Sequence, residues 1–357
     1  MRVEKIDTVQ RTHGASPKPG VKAVRASGAT SELRRVPEPA RTTRLCLNGP
    51  RAASDDGAHP RPRAASAQPH SEVEPRRLAQ NNDNEHSETV AGFGDEWSRF
   101  DQSGATDQEL ECTFDKYFAI FPWARLLPAA RGVDVGCGSG RWARLVAPRV
   151  GQLDCVDASA EALAVARRNL RGHSNVNLTQ ASVGALPFES ATFDFAYSLG
   201  VLHHVPDTLA GMRECVRILK PGAPFLVYLY YALDNRPAWY RNVWRASDAV
   251  RRIVCKLPRP MRHAVAEIVA ASVYWPLARS ARLGEHLGLD VESVPLASYR
   301  QHSFYVMRND ALDRMGTPLE QRFSRVQIEG MMRQVGLTDV RFHDSVPFWC
   351  AVGFKQR

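Results

Sequence analysis

The sequence lacks an apolar run near the ~20 residues that a membrane-spanning helix needs. Residues 1–10 also lack the apolar centre of a secretory signal. The seven cysteines include no C-x-x-C pair, which argues against a zinc site and a disulfide framework. These absences predict reduced thiols, a cytoplasmic location and no metal site.

Phenylalanine, tryptophan and tyrosine are absent before Phe93, and the same stretch is rich in proline, alanine and arginine. A segment of this composition cannot bury enough apolar surface to offset the entropy of ordering it. We therefore expect residues 1–90 to be a disordered tail and residues 91–357 to form the folded domain.

The net charge is +9, and the arginines are spread along the whole chain. A basic surface favours anionic partners such as nucleic acid, an anionic lipid or an anionic small molecule, and a solvated arginine-rich surface is the other interpretation. Nucleic acid is disfavoured, because the sequence contains neither a nucleic-acid-binding module nor an aromatic stacking platform. The oligomeric state is left open.

Short apolar runs alternate with amphipathic segments from residue 107 to residue 230. The alternation predicts helices at residues 107–121, 141–147, 160–170 and 208–219. It predicts strands at residues 133–135, 153–156, 176–181, 193–197 and 225–230. Strands separated by helices of this length indicate an α/β doubly wound, mostly parallel sheet with helices on both faces.

Residues 231–322 interrupt that rhythm and are predicted to be a helical insertion on the substrate side. A final helix at residues 325–335 and strands at 340–343 and 348–354 follow, and the short link between these strands predicts an antiparallel hairpin. Three interpretations of the insertion stay open: an aromatic and basic pocket or lid, a cap with a solvated basic face, and an amphipathic stretch in peripheral contact with a membrane.

Residues 133–140 combine an apolar strand with the glycines Gly136, Gly138 and Gly140. Glycines permit positive φ and a close approach of a ligand to the backbone, and a helix that follows such a loop offers N–H groups to an anion. Asp157 lies about 20 residues further on, where an acid can accept hydrogen bonds from ribose hydroxyls.

This loop departs from the dinucleotide fingerprint, because its third glycine comes one residue early and Arg141 takes the position that should be small. Asp134 lies inside the preceding strand, where a carboxylate can meet a ligand's ammonium group. S-adenosylmethionine has an ammonium group and a dinucleotide does not. An NAD(P)-dependent oxidoreductase remains the alternative, as does a non-catalytic scaffold that retained the fold.

Three segments, residues 133–140, 193–205 and 219–225, resemble the motifs of class I S-adenosylmethionine-dependent methyltransferases. The chain is most similar to small-molecule methyltransferases of the ubiquinone and menaquinone biosynthesis type. The resemblance implies a seven-stranded Rossmann-like sheet, S-adenosylmethionine as the cofactor, and methyl transfer to a small-molecule, sugar-bearing or lipid-like acceptor.

The resemblance also implies a set of cofactor-binding residues at the carboxyl ends of the strands: Asp134, Gly136, Cys137, Gly138, Gly140, Asp157, Ala158, Ser182, Val183, Ser198 and Leu199. The glycine loop should line the methionine end, Asp157 should hold the ribose with Ala158 beside the adenine, and residues 181–183 should lie against the adenine ring. Ser182 stands where the family usually has aspartate, so a hydroxyl would replace a carboxylate near the adenine.

His203 and His204 directly follow the predicted fourth strand. An imidazole titrates near neutral pH, so either histidine is a candidate general base for the acceptor. The alternative is that one packs against the cofactor and the other bonds the backbone. Methyl transfer can also proceed on proximity and orientation alone.

Overall fold

The computed structural model describes residues 84–292 and 294–357. Helix α1 spans Ser87–Arg99, so it crosses the boundary at residue 90 predicted for the tail. The rest of that predicted disordered tail lies at residues 1–83, outside the described residues. The side chain of His86 caps α1 by accepting a hydrogen bond from the Thr89 N–H at 3.3 Å.

Seven strands in the described residues form one sheet in the order β3-β2-β1-β4-β5-β7-β6. Their bounds are β1 Arg131–Val135, β2 Gln152–Asp157, β3 Val176–Gln180, β4 Phe195–Leu199, β5 Pro224–Tyr228, β6 Leu337–Phe342 and β7 Ala351–Lys355. Strands β1 to β5 are parallel, whereas β7 is antiparallel to both β5 and β6. The predicted doubly wound sheet and its C-terminal antiparallel hairpin are confirmed.

The helices of the described residues follow the predicted order. After α1, they are α2 Asp107–Tyr117, α3 Ala143–Val146, α4 Ala160–Asn169, α5 Thr208–Arg217, α6 Ala238–Val254, α7 Arg259–Val269, α8 Trp275–His286, α9 Phe304–Gly316 and α10 Arg325–Gln334. Helices α6 to α9 lie within the predicted insertion, and α6 and α7 both pack against α9. A π-helical turn, Ala270–Tyr274, joins α7 to α8.

Alternate residues of the central strands point to opposite faces of the sheet and enter different apolar clusters. Phe195 and Tyr197 of β4 pack in one cluster with residues of α2, α3 and α4. Ala196, between them, packs in the other cluster with Met212 of α5 and Ile328 of α10. Both faces are therefore covered by helices, which explains why these strands read as continuous apolar runs.

Several element boundaries differ from the sequence-based expectations by a few residues, among them those of α2, β6 and α3. Helix α2 ends at Tyr117, four residues before the predicted end at residue 121, and its last apolar side chains continue into a turn. Strand β6 begins at Leu337 instead of residue 340. The helix predicted at residues 141–147 is only the four-residue α3, followed by a 3₁₀ turn containing Pro148, because proline cannot donate the next helical hydrogen bond.

Five cysteines of the described residues are free thiols: Cys137, Cys155, Cys215, Cys255 and Cys350. Cys112 is disulfide-bonded. The expectation of reduced thiols throughout the chain was therefore wrong at Cys112.

Candidate functional site

The strand order reverses at β1, which has β2 on one side and β4 on the other. In an open α/β sheet, ligands bind in the crevice at the carboxyl ends of the strands flanking such a switch point. The sequence-predicted site residues lie at or just beyond those ends: the glycine loop after β1, Asp157 at the end of β2, and His203 after β4.

The loop after β1 requires glycine at three positions. Gly136, Gly138 and Gly140 have φ of +81°, +54° and +76°, values that residues with a Cβ rarely adopt. A Cβ on Gly138 would also lie 2.8 Å from the indole of Trp97 in α1. Helix α1 therefore lies directly over the loop.

Most N–H groups of this loop are already bonded within the protein. The N–H groups of Gly136 and Cys137 both donate to the Val156 carbonyl, at 2.7 and 2.9 Å, and Gly140 N–H donates to the Cys137 carbonyl at 2.9 Å. Helix α3 starts at Ala143, two residues after the predicted start at residue 141, and spans only four residues. The loop offers a ligand its shape more than its donors.

Asp134 is buried in the middle of the sheet with 1% of its surface exposed. Its Oδ2 has no hydrogen-bond partner among the described residues. Burial raises the pKa of Asp134 to about 8, and nearby Tyr197 acts in the opposite direction. A buried carboxyl with an unpartnered oxygen is costly unless a cation or donor reaches it, so it fits the ammonium group of S-adenosylmethionine.

Asp157 connects the ends of β1 and β2. Its carboxylate accepts the Gly138 N–H at 2.8 Å and the Ser159 N–H at 2.9 Å, and burial raises its pKa. Ser159 caps helix α4 by accepting the Ala162 N–H, so Asp157 is not the cap. A carboxylate has about four lone-pair sites, which leaves capacity for ribose hydroxyls beside the two backbone bonds.

The residues predicted to lie against the adenine are gathered at the ends of β2 and β3. The Ala158 carbonyl accepts from Gln180 Nε2 at 3.1 Å. Ser182 is buried, and its Oγ accepts the Gly184 N–H at 3.2 Å. Val183 is buried in the apolar cluster beside α5. Among the described residues, the hydroxyl proton of Ser182 makes no hydrogen bond. It is therefore available to a hydrogen-bond acceptor on a ligand.

Three predicted residues have structural contacts of their own. The Ser198 hydroxyl donates to the Val135 carbonyl at 2.9 Å and so joins β4 to β1, and Leu199 is buried in the core. Contact with Cys155, together with burial, raises the pKa of the Cys137 thiol well above its usual range. Their predicted positions at the cofactor stay predictions.

His203 and His204 are buried side by side, with ring centroids 4.0 Å apart. Tyr230 N–H donates to His203 Nδ1 at 3.4 Å, which places the His203 proton on Nε2. His204 Nδ1 lies 2.7 Å from the Leu319 carbonyl. A carbonyl only accepts, so His204 Nδ1 carries the proton and its Nε2 has a free lone pair.

Burial lowers the pKa of both histidines, that of His203 well below its usual range. Each Nε2 is without a hydrogen-bond partner among the described residues. The two rings therefore offer different chemistry: His203 presents an N–H donor, and His204 presents a proton acceptor. Both lie where the acceptor is expected, just beyond β4.

Helix α9 of the insertion contributes polar residues that sequence reasoning missed. Asn309 Nδ2 donates to Glu96 Oε1 at 2.6 Å, and the Tyr230 hydroxyl donates to Asp313 Oδ2. Burial raises the pKa of Glu96 well above its usual range and also raises that of Asp310. The N-D-x-x-D spacing of residues 309–313 places these side chains on adjacent positions of one helix face, which was the available signal.

Arg141, which replaces the small residue of the dinucleotide fingerprint, lies over the rings of Trp97 and Trp142, at 5.2 and 4.6 Å from their centroids. Its charge acts to lower the pKa of Asp134, Glu96 and Asp310, against the larger effect of burial. One cation therefore faces carboxyls from β1, α1 and α9. Within the described residues, no cluster of His, Cys, Asp or Glu is arranged to hold a metal ion.

Comparison with known proteins places a methyltransferase domain at residues 133–227. A ubiquinone biosynthesis O-methyltransferase of Xanthomonas campestris is 32% identical over 139 residues, 38% of this chain and 56% of the relative. The enzyme of the same name from Paracidovorax citrulli is 31% identical over 160 residues, 44% of this chain and 64% of the relative. The chain thus spans less than two thirds of the curated relatives that it matches.

Among solved structures, a SAM-dependent methyltransferase from Aquifex aeolicus is similar at 15% identity, covering 72% of this chain and 96% of its own, with a TM-score of 0.41. The family and curated matches confirm the predicted resemblance to class I S-adenosylmethionine-dependent methyltransferases of the ubiquinone type. The match over residues 133–227 is to a methyltransferase domain, which agrees with the predicted enzyme class.

Proposed function

We propose that this chain transfers the methyl group of S-adenosylmethionine to an acceptor held at the carboxyl edge of its sheet, beside His204. The observation that carries the proposal is the buried, unpartnered Oδ2 of Asp134 next to a loop of positive-φ glycines. An ammonium group would relieve the cost of that carboxyl, and a nicotinamide dinucleotide has no ammonium group to offer.

The chain's own residues divide the binding of the cofactor between them. Asp134 receives the ammonium group, and Asp157 receives the ribose hydroxyls while it holds the loop through Gly138. The remaining proposed contacts are those of the loop and of the strand ends: Gly136, Cys137, Gly140, Ala158, Ser182, Val183, Ser198 and Leu199. Trp97 lies on the loop at Gly138.

When bound, S-adenosylmethionine supplies a methyl carbon on a sulfonium, which is a good leaving group. Held through its ammonium group by Asp134 and through its ribose by Asp157, it would supply this methyl group to a lone pair of the acceptor and would leave as adenosylhomocysteine. His204 accepts the acceptor's proton at Nε2, because its Nδ1 proton is held by the Leu319 carbonyl. His203 donates from its own Nε2 and orients the acceptor.

The acceptor is proposed to carry a hydroxyl group on a small-molecule, sugar-bearing or lipid-like body. The curated relatives are named O-methyltransferases, and a free imidazole lone pair suits the removal of a hydroxyl proton. An anionic or lipid-linked acceptor and peripheral contact with a membrane are part of this proposal, since the insertion is basic. The free thiols support a cytoplasmic location, although the disulfide at Cys112 does not.

Calorimetric titration of adenosylhomocysteine into the full chain tests the proposal, with NADH titrated in parallel. We expect micromolar binding of adenosylhomocysteine and none of NADH. Binding of NADH alone would assign the chain to the oxidoreductases. Binding of neither would leave the scaffold alternative, in which the fold persists without its cofactor. Asp134→Asn should weaken the binding of adenosylhomocysteine. Asp107→Asn, at an exposed carboxylate of α2, is the matched control and should leave the binding unchanged.

Screening cell extract with labelled methyl donor would then identify the acceptor. Alkaline hydrolysis would release the label from a methyl ester, and boiling hydriodic acid would release it from a methyl ether, whereas an N-methyl group resists both treatments. A product whose label resists every treatment that cleaves oxygen-bound methyl groups would overturn the oxygen acceptor while leaving the cofactor assignment intact.

A further inference from the structure

The exposed apolar side chains of this protein are concentrated on the helical insertion. Of the fourteen large apolar residues that are exposed in the described part of the chain, only Leu127 and Val326 lie outside residues 231–322. A soluble domain scatters such residues singly over its surface, whereas a concentration of them marks an interaction site.

Helix α6 carries four of them as a single stripe: Trp239, Val243, Val250 and Ile253. These positions follow one another at intervals of four, seven and three residues, so they lie on one face of a helix with 3.6 residues per turn. Ile253 is 68% exposed. The buried residues of α6, Asp248, Arg251 and Val254, lie beside this stripe and behind it.

The same helices are strongly basic. Residues 238–286 contain nine arginines and lysines against three acidic residues. All three acids are already paired: Asp248 with Arg251 and Arg252, Glu267 with Arg99 and Arg308, and Glu285 with Arg300. The acids of α6 to α8 therefore leave most of that positive charge uncompensated.

A cavity of about 630 Å³ lies where α6 ends, α7 begins and α1 passes. Its lining includes Arg252, Lys256, Arg259 and Arg262, with Glu88 as the acid of the set. The Nε of Arg262 is buried without a hydrogen-bond partner among the described residues. A cavity with four cations and an unsatisfied guanidinium donor fits a phosphate oxygen.

The cavity and the apolar residues adjoin one another along the chain. Exposed Ile253 directly follows Arg252, and Met261, 53% exposed, stands between Arg259 and Arg262. Cations that alternate with exposed aliphatic side chains are typical of a surface that lies in the headgroup region of an anionic bilayer. A nucleic-acid surface has no need of the aliphatic stripe, and a second copy of this chain would bring the same positive charge.

We infer that helices α6 and α7 dock on an anionic phospholipid membrane, with the stripe of α6 in the interface and a headgroup phosphate in the cation-lined cavity. The inference rests on the peripheral membrane contact put forward in the proposed function and is independent of methyl transfer itself. No helix in the described residues has the length and apolar character to cross a bilayer, so the contact is with one leaflet.

Co-sedimentation of the full chain with vesicles tests the inference. The vesicles contain phosphatidylglycerol and phosphatidylcholine at one to three, or phosphatidylcholine alone. We expect binding to the anionic vesicles, weakened by salt, and little binding to the neutral ones. Absence of binding to the anionic vesicles at low salt would overturn the inference.

Two variants separate the two parts of the surface. Lys256→Gln with Arg259→Gln should weaken vesicle binding about 30-fold, the loss expected for two basic groups at an anionic surface. Val243→Ser with Ile253→Ser should weaken it at least about tenfold. All four side chains are exposed, so the fold should be unaffected.

Arg167→Gln with Arg171→Gln, and Leu127→Ser, are the matched controls, because these residues are equally exposed but lie away from α6 and α7. An equal loss in the controls would overturn the docking surface. Binding of RNA that is lost in the Lys256→Gln and Arg259→Gln variant but kept in the Val243→Ser and Ile253→Ser variant would also overturn it. So would a dimer that the Val243→Ser and Ile253→Ser variant dissociates, if the chain binds no vesicles. Inorganic phosphate at 10 mM should displace the chain from the vesicles only weakly, because the docked surface contacts both the headgroup and the bilayer. Complete displacement would show that the cavity binds free phosphate and would contradict docking on a membrane.

Adenosylhomocysteine affinity is measured on the same variants and should be unchanged, because neither pair touches the cofactor crevice. Vesicle binding without cofactor binding would refute the proposed function and leave the docking surface standing. Cofactor binding without vesicle binding would refute the docking surface and leave the cofactor assignment standing.

Discussion

The hydroxyl of Tyr230 donates to Asp313 Oδ2, and this bond joins the chain just beyond β5 to helix α9 of the insertion. The ring of Tyr230 is stacked on His203, with centroids 3.8 Å apart. One side chain thus connects the insertion to the histidine pair, so the insertion is part of the site and not only its cover.

Removal of the Tyr230–Asp313 hydrogen bond should lower the free energy of unfolding more than it lowers the affinity for the cofactor. Tyr230→Phe keeps the stacked ring but leaves Asp313 without its donor, a loss of about 1–3 kcal/mol in the free energy of unfolding. Denaturant unfolding measures it, and adenosylhomocysteine affinity is the control. A variant as stable as the parent would show that the bond contributes nothing to holding α9.

The buried carboxyl of Asp134 predicts a pH dependence of cofactor binding. Its pKa of about 8 means that it is largely protonated in the free protein at neutral pH. An ammonium-bearing ligand needs the charged form, so binding must release a proton, and affinity should fall as the pH drops below 8, by up to about tenfold per pH unit. Calorimetric titration in buffers of different ionisation enthalpy measures the number of protons released on binding.

Asp134→Asn should abolish both the proton release and the slope, because an amide does not titrate in this range. Its affinity should be low at every pH. A slope that persists unchanged in this variant would assign the titration to another group.

Asp157→Ala should weaken adenosylhomocysteine binding by about 1–3 kcal/mol, the cost of losing a charged hydrogen-bond partner. The variant also removes the acceptor for the Gly138 N–H, so thermal unfolding must be measured beside the titration. Unchanged affinity would contradict the placement of the ribose at Asp157.

The two histidines should respond differently to substitution once an acceptor is available. His204→Ala should lower kcat by about 10²–10⁴-fold, the usual contribution of a general base, whereas His203→Ala should mainly raise KM. Burial holds the pKa of His204 below its usual 6.5, so activity should be lost only as the pH falls below that value. Equal losses in kcat for both variants would contradict the assignment of the base to Nε2 of His204.

The positions of the strands and the mostly parallel sheet could be predicted from the sequence, because most of β1 to β5 are short apolar runs followed by a polar or glycine-containing turn. The proposed cofactor-binding residues were identified from the same local pattern, since Asp134, the glycines and Asp157 lie within about 25 residues of one another, and their contacts with the cofactor stay predictions. The helix after the glycine loop was overestimated, since the apolar spacing of residues 141–147 does not reveal the stop at Pro148.

The acceptor side could not be predicted in the same way. Glu96 and Asn309 meet although they are 213 positions apart, and no periodicity in either helix specifies that contact. The distinction between His203 and His204 depends on the neighbouring Tyr230 N–H and Leu319 carbonyl, and these partners are set by the folded chain.

Trp97 lies on the glycine loop, yet it belongs to a helix that ends more than 30 positions before the matched domain begins at residue 133. With the product on the loop as proposed, we expect it to leave past this indole, so its residence time should depend on how firmly α1 packs on the loop. A fragment limited to residues 133–227 would contain every predicted cofactor-binding residue but would lack Trp97. We expect such a fragment to exchange the ligand faster than the whole chain and to bind it more weakly.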